Sequence, residues 1–178
     1  GTFTGSGTTY TFVVTPTIAS GATGTVVISV AANVAQDAAT NDNTVSNSLS
    51  YSIDKVIPTL ALTSTDPDPT NGNVTVTAIF SESVTGFDSS DLTVGNAIVT
   101  SFSGSGTTYS FLMAPISNNS VTVLVAAGSA QDAAGNTNSV SNTLSRTYDA
   151  IQPTVTLTSA TTSPTNGAIS VTATFSEI

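Results

Sequence analysis

FSGSGTTYSFLMAP, from Phe102 to Pro115, carries two messages at once. Glycines at 104 and 106 make a tight hairpin, and beyond it Tyr109, Phe111 and Met113 alternate with Ser110 and Leu112, the period of a strand with one buried face. The first eight residues also return almost unchanged as FTGSGTTY at Phe3 to Tyr10, and AQDAA at Ala35 returns at Ala130. A hairpin that recurs with its surroundings marks a repeated structural unit.

Subtraction fixes the register. Asp54 and Asp149, Pro58 and Pro153, PTNG at Pro69 and Pro164, and FSE at Phe80 and Phe175 all lie 95 positions apart, whereas the two GSGTTY copies lie 99 apart. The four additional residues fall between Tyr10 and Ala35, where TPTIASGATGTV stands against APISNNSV. Length variation of this kind belongs to a connecting loop. The expected organisation is the later part of one repeat at 1–54, a complete repeat at 55–149 and the opening of a third at 150–178. The chain thus reads as a window on a longer polypeptide.

Composition limits what such a unit does. Two basic residues stand against eleven acidic ones, a net charge of −9 in 178 residues, which argues against nucleic acid and anionic membranes as partners. Hydrophobic residues make up 39% and are mainly Val, Ala, Leu and Ile on a Thr, Ser and Asn background, a mixture that suits half-buried strands. The absence of cysteine removes disulfides and thiolate metal sites. No apolar run reaches the roughly 18 residues of a membrane span, so membrane insertion is not expected in this window.

Alternation continues along the complete repeat. Leu60 and Leu62 share a face, Val74, Val76, Ala78 and Phe80 alternate against Thr75 and Thr77, and Leu92 with Val94, then Ile98 near Phe102, mark shorter strands. Val121, Val123 and Val125 follow, and Val140, Asn142 and Leu144 close the unit. DPDPTNGN, SGSGTT, PISNN and QDAAGN supply turns between them. About seven strands in 95 residues, with no helical period, predict an all-β fold: tandem immunoglobulin-like Greek-key β-sandwiches.

The junctions DKVIPTL and DAIQPTV, followed by PTNG, FSE-x-VTGF-x-x-x-DLTV, GSGTTY and QDAAGN, resemble the bacterial Ig-like repeats strung along giant surface adhesins. The resemblance covers essentially the whole chain. It implies a secreted, extracellular location on the bacterial cell surface, and a role in attachment, biofilm formation or gliding motility. Its implied partners are neighbouring repeats of the same polypeptide, surface glycans or other adhesin chains.

Catalysis has little to work with. No His and no Cys are present, so Ser-His-Asp and Cys-His arrangements cannot be built. Carboxylate pairs such as Asp66 with Asp68 or Asp88 with Asp91 are more simply turn residues than an acid and a base. No enzyme is expected. Lys55 sits at a junction where the next repeat has Ala150, which excludes a lysine isopeptide common to all units. GSGTTY lacks the following helix and lysine of a phosphate loop.

Cation binding is the sharper expectation. Connections in an Ig-type sandwich alternate between its two ends, so the loop after Phe80 and the loop QDAAGN should meet where the chain enters the unit. Glu82 and Asp132 would converge there on Asp54, and hard carboxylate oxygens in such a group suit Ca²⁺. Asp149 and Glu177 repeat the pattern at the following junction. Asp66 and Asp68 are secondary candidates, because the third unit has TTSPTNG in place of DPDPTNG. The competing reading is that Asp132 and Asn136 merely shape a glycine-containing turn and Glu82 is a solvated charge. Two roles follow: a structural stalk of units roughly 40 Å long, or a module in which each repeat binds a carbohydrate or a protein. The absence of Trp favours the stalk.

Overall fold

The computed structural model describes residues 2–177; Gly1 and Ile178, the outer bounds of the first and third predicted units, lie outside the described residues. A leading segment holds β1 (Phe3–Ser6), β2 (Thr9–Phe12), β3 (Thr23–Ile28) and β4 (Leu49–Asp54). A middle unit follows with β5 (Leu60–Thr63), β6 (Val74–Val84), a 3₁₀ turn at Ser89–Asp91, β7 (Leu92–Gly95), β8 (Ala97–Pro115), β9 (Asn119–Val125) and β10 (Leu144–Tyr148). A trailing segment adds β11 (Val155–Thr158) and β12 (Thr172–Phe175).

The middle unit is a β-sandwich. One sheet has the order β5-β6-β8 and the other β10-β9-β7, every strand pair being antiparallel. Alternation in the sequence becomes alternation in burial: Val74 and Val76 are fully buried while Thr75 between them is exposed. Phe111 and Met113 extend this face on β8, and Val121, Val123 and Val125 on β9 fill the core from the opposing sheet, each contributing about 1.5–3 kcal/mol by leaving water. Phe80, Phe87 and Tyr109 meet edge to face with ring centroids 5.0–5.8 Å apart, the arrangement that the ring quadrupole favours. Phe87 entered the sequence reading only as a motif letter, yet it is among the core residues.

The glycine hairpin explains the length of β8. Ala97–Pro115 is extended throughout but doubles back at Ser103–Thr107, so that the Thr100 hydroxyl donates to the Leu112 carbonyl at 3.4 Å. Gly104 has φ 131°, and a Cβ there would overlap the Thr108 carbonyl oxygen. Counting the two arms of β8 separately gives seven strands in the unit. In the leading segment the same hairpin is β1 and β2, with Phe3 opposite Phe12 and Gly5 opposite Tyr10.

Four expectations need correction. Ile98 is 61% exposed, because its neighbours Ala97 and Val99 are the ones that turn toward the core. Val140 is 56% exposed and lies outside any strand. The 139–143 stretch joins β5 without a full backbone ladder: Ser139 N donates to the Pro58 carbonyl, and the Asn142 side chain both accepts from Leu62 N at 2.8 Å and donates to Leu62 O at 3.0 Å. Asn142 is therefore a side-chain clasp, and its place in the alternation is incidental. Glu82, expected in a loop, lies inside β6.

Candidate metal centre

Three separate segments bring Asp54, Glu82 and Asp132 together. Asp54 ends β4, and its Oδ1 accepts from Val56 N at 2.9 Å, turning the chain into the middle unit. Glu82 falls where β6 loses its register with β8, between Ile79 and Val84. Bulges of this kind bend a strand and re-aim its side chains. Asp132 is delivered by a clamp just beyond the bulge, where Thr85 N donates to Gln131 O at 2.8 Å and Gln131 N to Thr85 O at 3.0 Å.

Asp132 is almost fully buried and is the organising residue. Its Oδ1 accepts from Ala134 N and Asn136 N at 2.8 and 2.9 Å, and its Oδ2 accepts from Asn136 Nδ2 at 2.8 Å. The Asn136 amide also donates to the Asp54 carbonyl at 3.2 Å, tying the turn to the junction. These bonds to Asn136, Ala134 and Gly135 hold the Asp132 carboxyl below the usual range.

The carboxylate oxygens of Asp54, Glu82 and Asp132 lie within 4.8 Å of one another. Glu82 responds in the opposite direction to Asp132: burial, then the charge of Asp132, then that of Asp54 push its carboxyl upward. Two oxygens that share one Ca²⁺ lie at most about 5 Å apart, since each sits 2.3–2.6 Å from the ion. The spacing and the all-oxygen donor set therefore fit calcium.

The other candidates are placed differently. Asp149 repeats the junction turn, its Oδ1 accepting from Ile151 N at 3.0 Å, and it lines one cleft with Glu177, Pro69, Thr70 and Pro153. Glu177 Oε1 is buried there without a hydrogen-bond partner. Asp66 and Asp68 turn back into their own unit: Asp66 accepts from Ser64 Oγ and Thr75 N, and Asp68 Oδ1 accepts from Thr147 N at 2.9 Å. Arg146 fastens the same loop by donating to Ser64 O at 2.8 Å and Asp66 O at 3.3 Å. Asp88 and Asp91 cap the 3₁₀ turn reciprocally, Asp88 accepting from Ser90 N at 2.7 Å and Asp91 from Asp88 N at 2.8 Å.

The sequence profile of the bacterial Ig-like domain matches residues 54–148. That span begins at Asp54 and covers both sheets of the sandwich. The chain belongs to the bacterial Ig-like domain family. Searches of curated proteins and of solved structures returned no match.

One feature of this Ig-like domain escaped the sequence reading. Asn138, nearly fully buried, accepts from Ala130 N at 2.7 Å and donates to Ala126 O and Ser139 O at 3.0 and 2.8 Å. Ser141 accepts from Val125 N at 2.9 Å and donates to Asn142 O at 2.8 Å. Together they satisfy the backbone of the loop that carries Asp132. The signal was present, since Asn43 and Ser46 occupy the equivalent positions and make equivalent bonds.

Proposed function

We propose that this chain is a stretch of the extracellular stalk of a long bacterial surface adhesin, in which successive Ig-like units are stiffened by Ca²⁺ at their junctions. The unit boundaries near Lys55 and Asp149 belong to this proposal. The observation that carries it is the placing of Asp54, Glu82 and Asp132, within 4.8 Å of one another, where β4 passes into the middle unit. Three like charges at a covalent hinge repel, and a divalent cation among them offsets the repulsion and restrains the hinge. Small interfaces between domains otherwise permit relative motion. Asp149 with the unpartnered Glu177 oxygen supports the same role at the next junction. The extracellular location, and service in attachment, biofilm formation or gliding, follow from family resemblance.

A non-catalytic spacer is favoured over a binding module by the surface of the middle unit. Its exposed large hydrophobics are Ile57, Ile79, Ile98, Ile116 and Val140, aliphatic and scattered, with no aromatic platform for a sugar ring. Calcium titration followed by calorimetry and small-angle scattering tests the junction. The ion should raise the melting temperature and narrow the spread of chain dimensions, and both effects should vanish in Asp54→Asn with Glu82→Gln. Identical melting and scattering with calcium and with chelator would sink the junction model, and saturable binding of a defined glycan would favour the module.

A further inference from the structure

We propose that the outer arm of β8, residues 97–103, pairs edge to edge with the same arm of a second copy, so that two chains join side by side through a continuous sheet. Four strands form the sides of the middle unit: β5 and this arm in one sheet, β10 and β7 in the other. Three of these edges are guarded. β5 is covered by the 139–143 stretch and by Arg146, which donates to the Ser64 carbonyl at 2.8 Å. β10 is covered by the loop before β6, where Thr147 N donates to Asp68 Oδ1 and Thr70 N to the Thr147 carbonyl, both at 2.9 Å. β7 is only four residues long and follows directly on Asp91. Covering loops, charges and short edges all keep unpaired backbone from recruiting another chain.

The arm 97–103 has none of these guards. Residues 106–113 of β8 pair with β6, which leaves the arm on the far side of its own hairpin. Among the described residues no other strand pairs with it, and no loop backbone bonds to it. The Thr100 hydroxyl reaches inward, to the Leu112 carbonyl of the hairpin. Ile98 is 61% exposed, and Thr100, Ser101 and Ser103 are exposed beside it. The arm holds no proline, and residues 92–131 contain no Asp, Glu, Lys or Arg at all. Both sheets of the middle unit are present around it, so the open edge belongs to the folded unit itself. Its outward N–H and C=O groups form a ready template for one more strand.

Charge points to a second copy as the occupant. The chain carries a net charge of −9, and most approaches of two copies set carboxylate against carboxylate. Contact along the arm avoids this, since neither paired strand bears a charge. A two-fold axis normal to the sheet makes the contact self-complementary and sets the two arms antiparallel, the direction with the more stable ladder. Hydroxyls of Thr100, Ser101 and Ser103 then face hydroxyls across the pair, a favourable cross-strand combination. One arm of seven residues makes a small, weak and reversible contact. The hairpin recurs without charge at residues 3–12, so successive units offer the same edge and their contacts add along the chain. If the chain is a stalk, as proposed above, antiparallel pairing joins stalks that project from two facing surfaces; association in solution tests the contact apart from that reading.

Charge variants test this on the 178-residue chain. Sedimentation equilibrium of the unaltered chain should show a reversible association whose extent rises with concentration. Thr100→Lys and Thr100→Asp should each weaken it by about fivefold or more, because the two-fold sets like charge against like, and an equimolar mixture of the two variants should recover it. Thr100 is exposed, and cooperative unfolding at the unaltered temperature shows that each variant keeps its fold. In this cysteine-free chain, single cysteines at Ile98, Thr100 and Ser103 should give a disulfide-linked dimer on oxidation at one of the three positions at least. A cysteine at Thr75, exposed in the middle of the same sheet, should give none. A monomer at every concentration, association unchanged in both charge variants, a mixture that fails to pair, or cross-linking at Thr75 as readily as on the arm would each overturn the proposal.

Discussion

The hairpin Phe102–Phe111 and the hairpin Phe3–Phe12 have nearly the same sequence and the same fold, and they live in different surroundings. In the first, Phe102 and Phe111 stack 6.2 Å apart and Tyr109 is gripped edge-on by Phe80 and Phe87. In the second, Phe3 stacks on both Tyr10 and Phe12, at 5.5 and 5.9 Å, with no ring meeting them edge-on. The local hairpin is therefore encoded by its own glycines and alternation. Burial, and nearly all of the stability that burial contributes, comes from strands distant in sequence.

Substituting equivalent residues measures that difference. Phe111→Ala should lower the unfolding free energy by about 3–5 kcal/mol, whereas Phe12→Ala in the monomeric chain should cost less than about 1 kcal/mol, because nearly half of that side chain already meets water. Urea denaturation of both variants checks this, and equal losses would break the comparison. Asn138→Ala should cost about 2–3 kcal/mol by stranding Ala130 N and the Ala126 carbonyl in the interior. Asn43→Ala, where the equivalent groups are nearer solvent, should cost about half as much by the same measurement.

The acidic turns sharpen it further. Asp37 repeats the Asp132 turn, accepting from Ala39 N and Asn41 N at 2.9 Å and from Asn41 Nδ2 at 3.0 Å, which holds its carboxyl below the usual range as well. The turn is thus held by its own hydrogen bonds, and around Asp132 it is joined by Asp54 and Glu82. Thr40 takes φ 69° where Gly135 takes φ 88°. Gly135→Thr should therefore destabilise by about 1–2 kcal/mol, and Thr40→Gly should stabilise its own segment by somewhat less. Thermal melts give both signs.

The smallest effect concerns pH. Because the folded Glu82 carboxyl titrates above its unfolded value of about 4.3, its protonated form favours the fold, and that stabilisation is lost as pH rises through the folded value. Asp132 acts in the opposite sense: its contribution is present above about 3.9 and is lost as pH falls through its lowered folded value. In chelator, Glu82→Gln should therefore melt higher than the unaltered chain at pH 7. The gap should close as pH falls toward 4. An unchanged gap in melts across that range would assign the pH response to other groups.

Sequence made much of this visible, and unevenly so. The alternation of Val74 to Phe80 fixed the inner face of β6 because both its sheet neighbours and the opposing sheet demand period two. Ile98 and Val140 were misplaced because alternation names two faces and does not say which is buried; at Val140 the ladder to β5 is carried by Ser139 and the Asn142 side chain. Convergence of Asp54, Glu82 and Asp132 could be anticipated from connection ends. The bulge that aims Glu82 could not, since register loss depends on the partner strand. Asn138 and Ser141 were legible only through their repetition at Asn43 and Ser46.

The Asn142 clasp has a mechanical consequence. Pro58 meets Ser139 and Leu62 meets Asn142 in the same chain direction, so β5 and this stretch run parallel at the two covalent exits of the unit. Tension applied through Lys55 and Asp149 drags them lengthwise past each other. The Ser139 bond and both Asn142 bonds are then loaded together in shear, and the fold resists stretching as a lap joint rather than as a zipper.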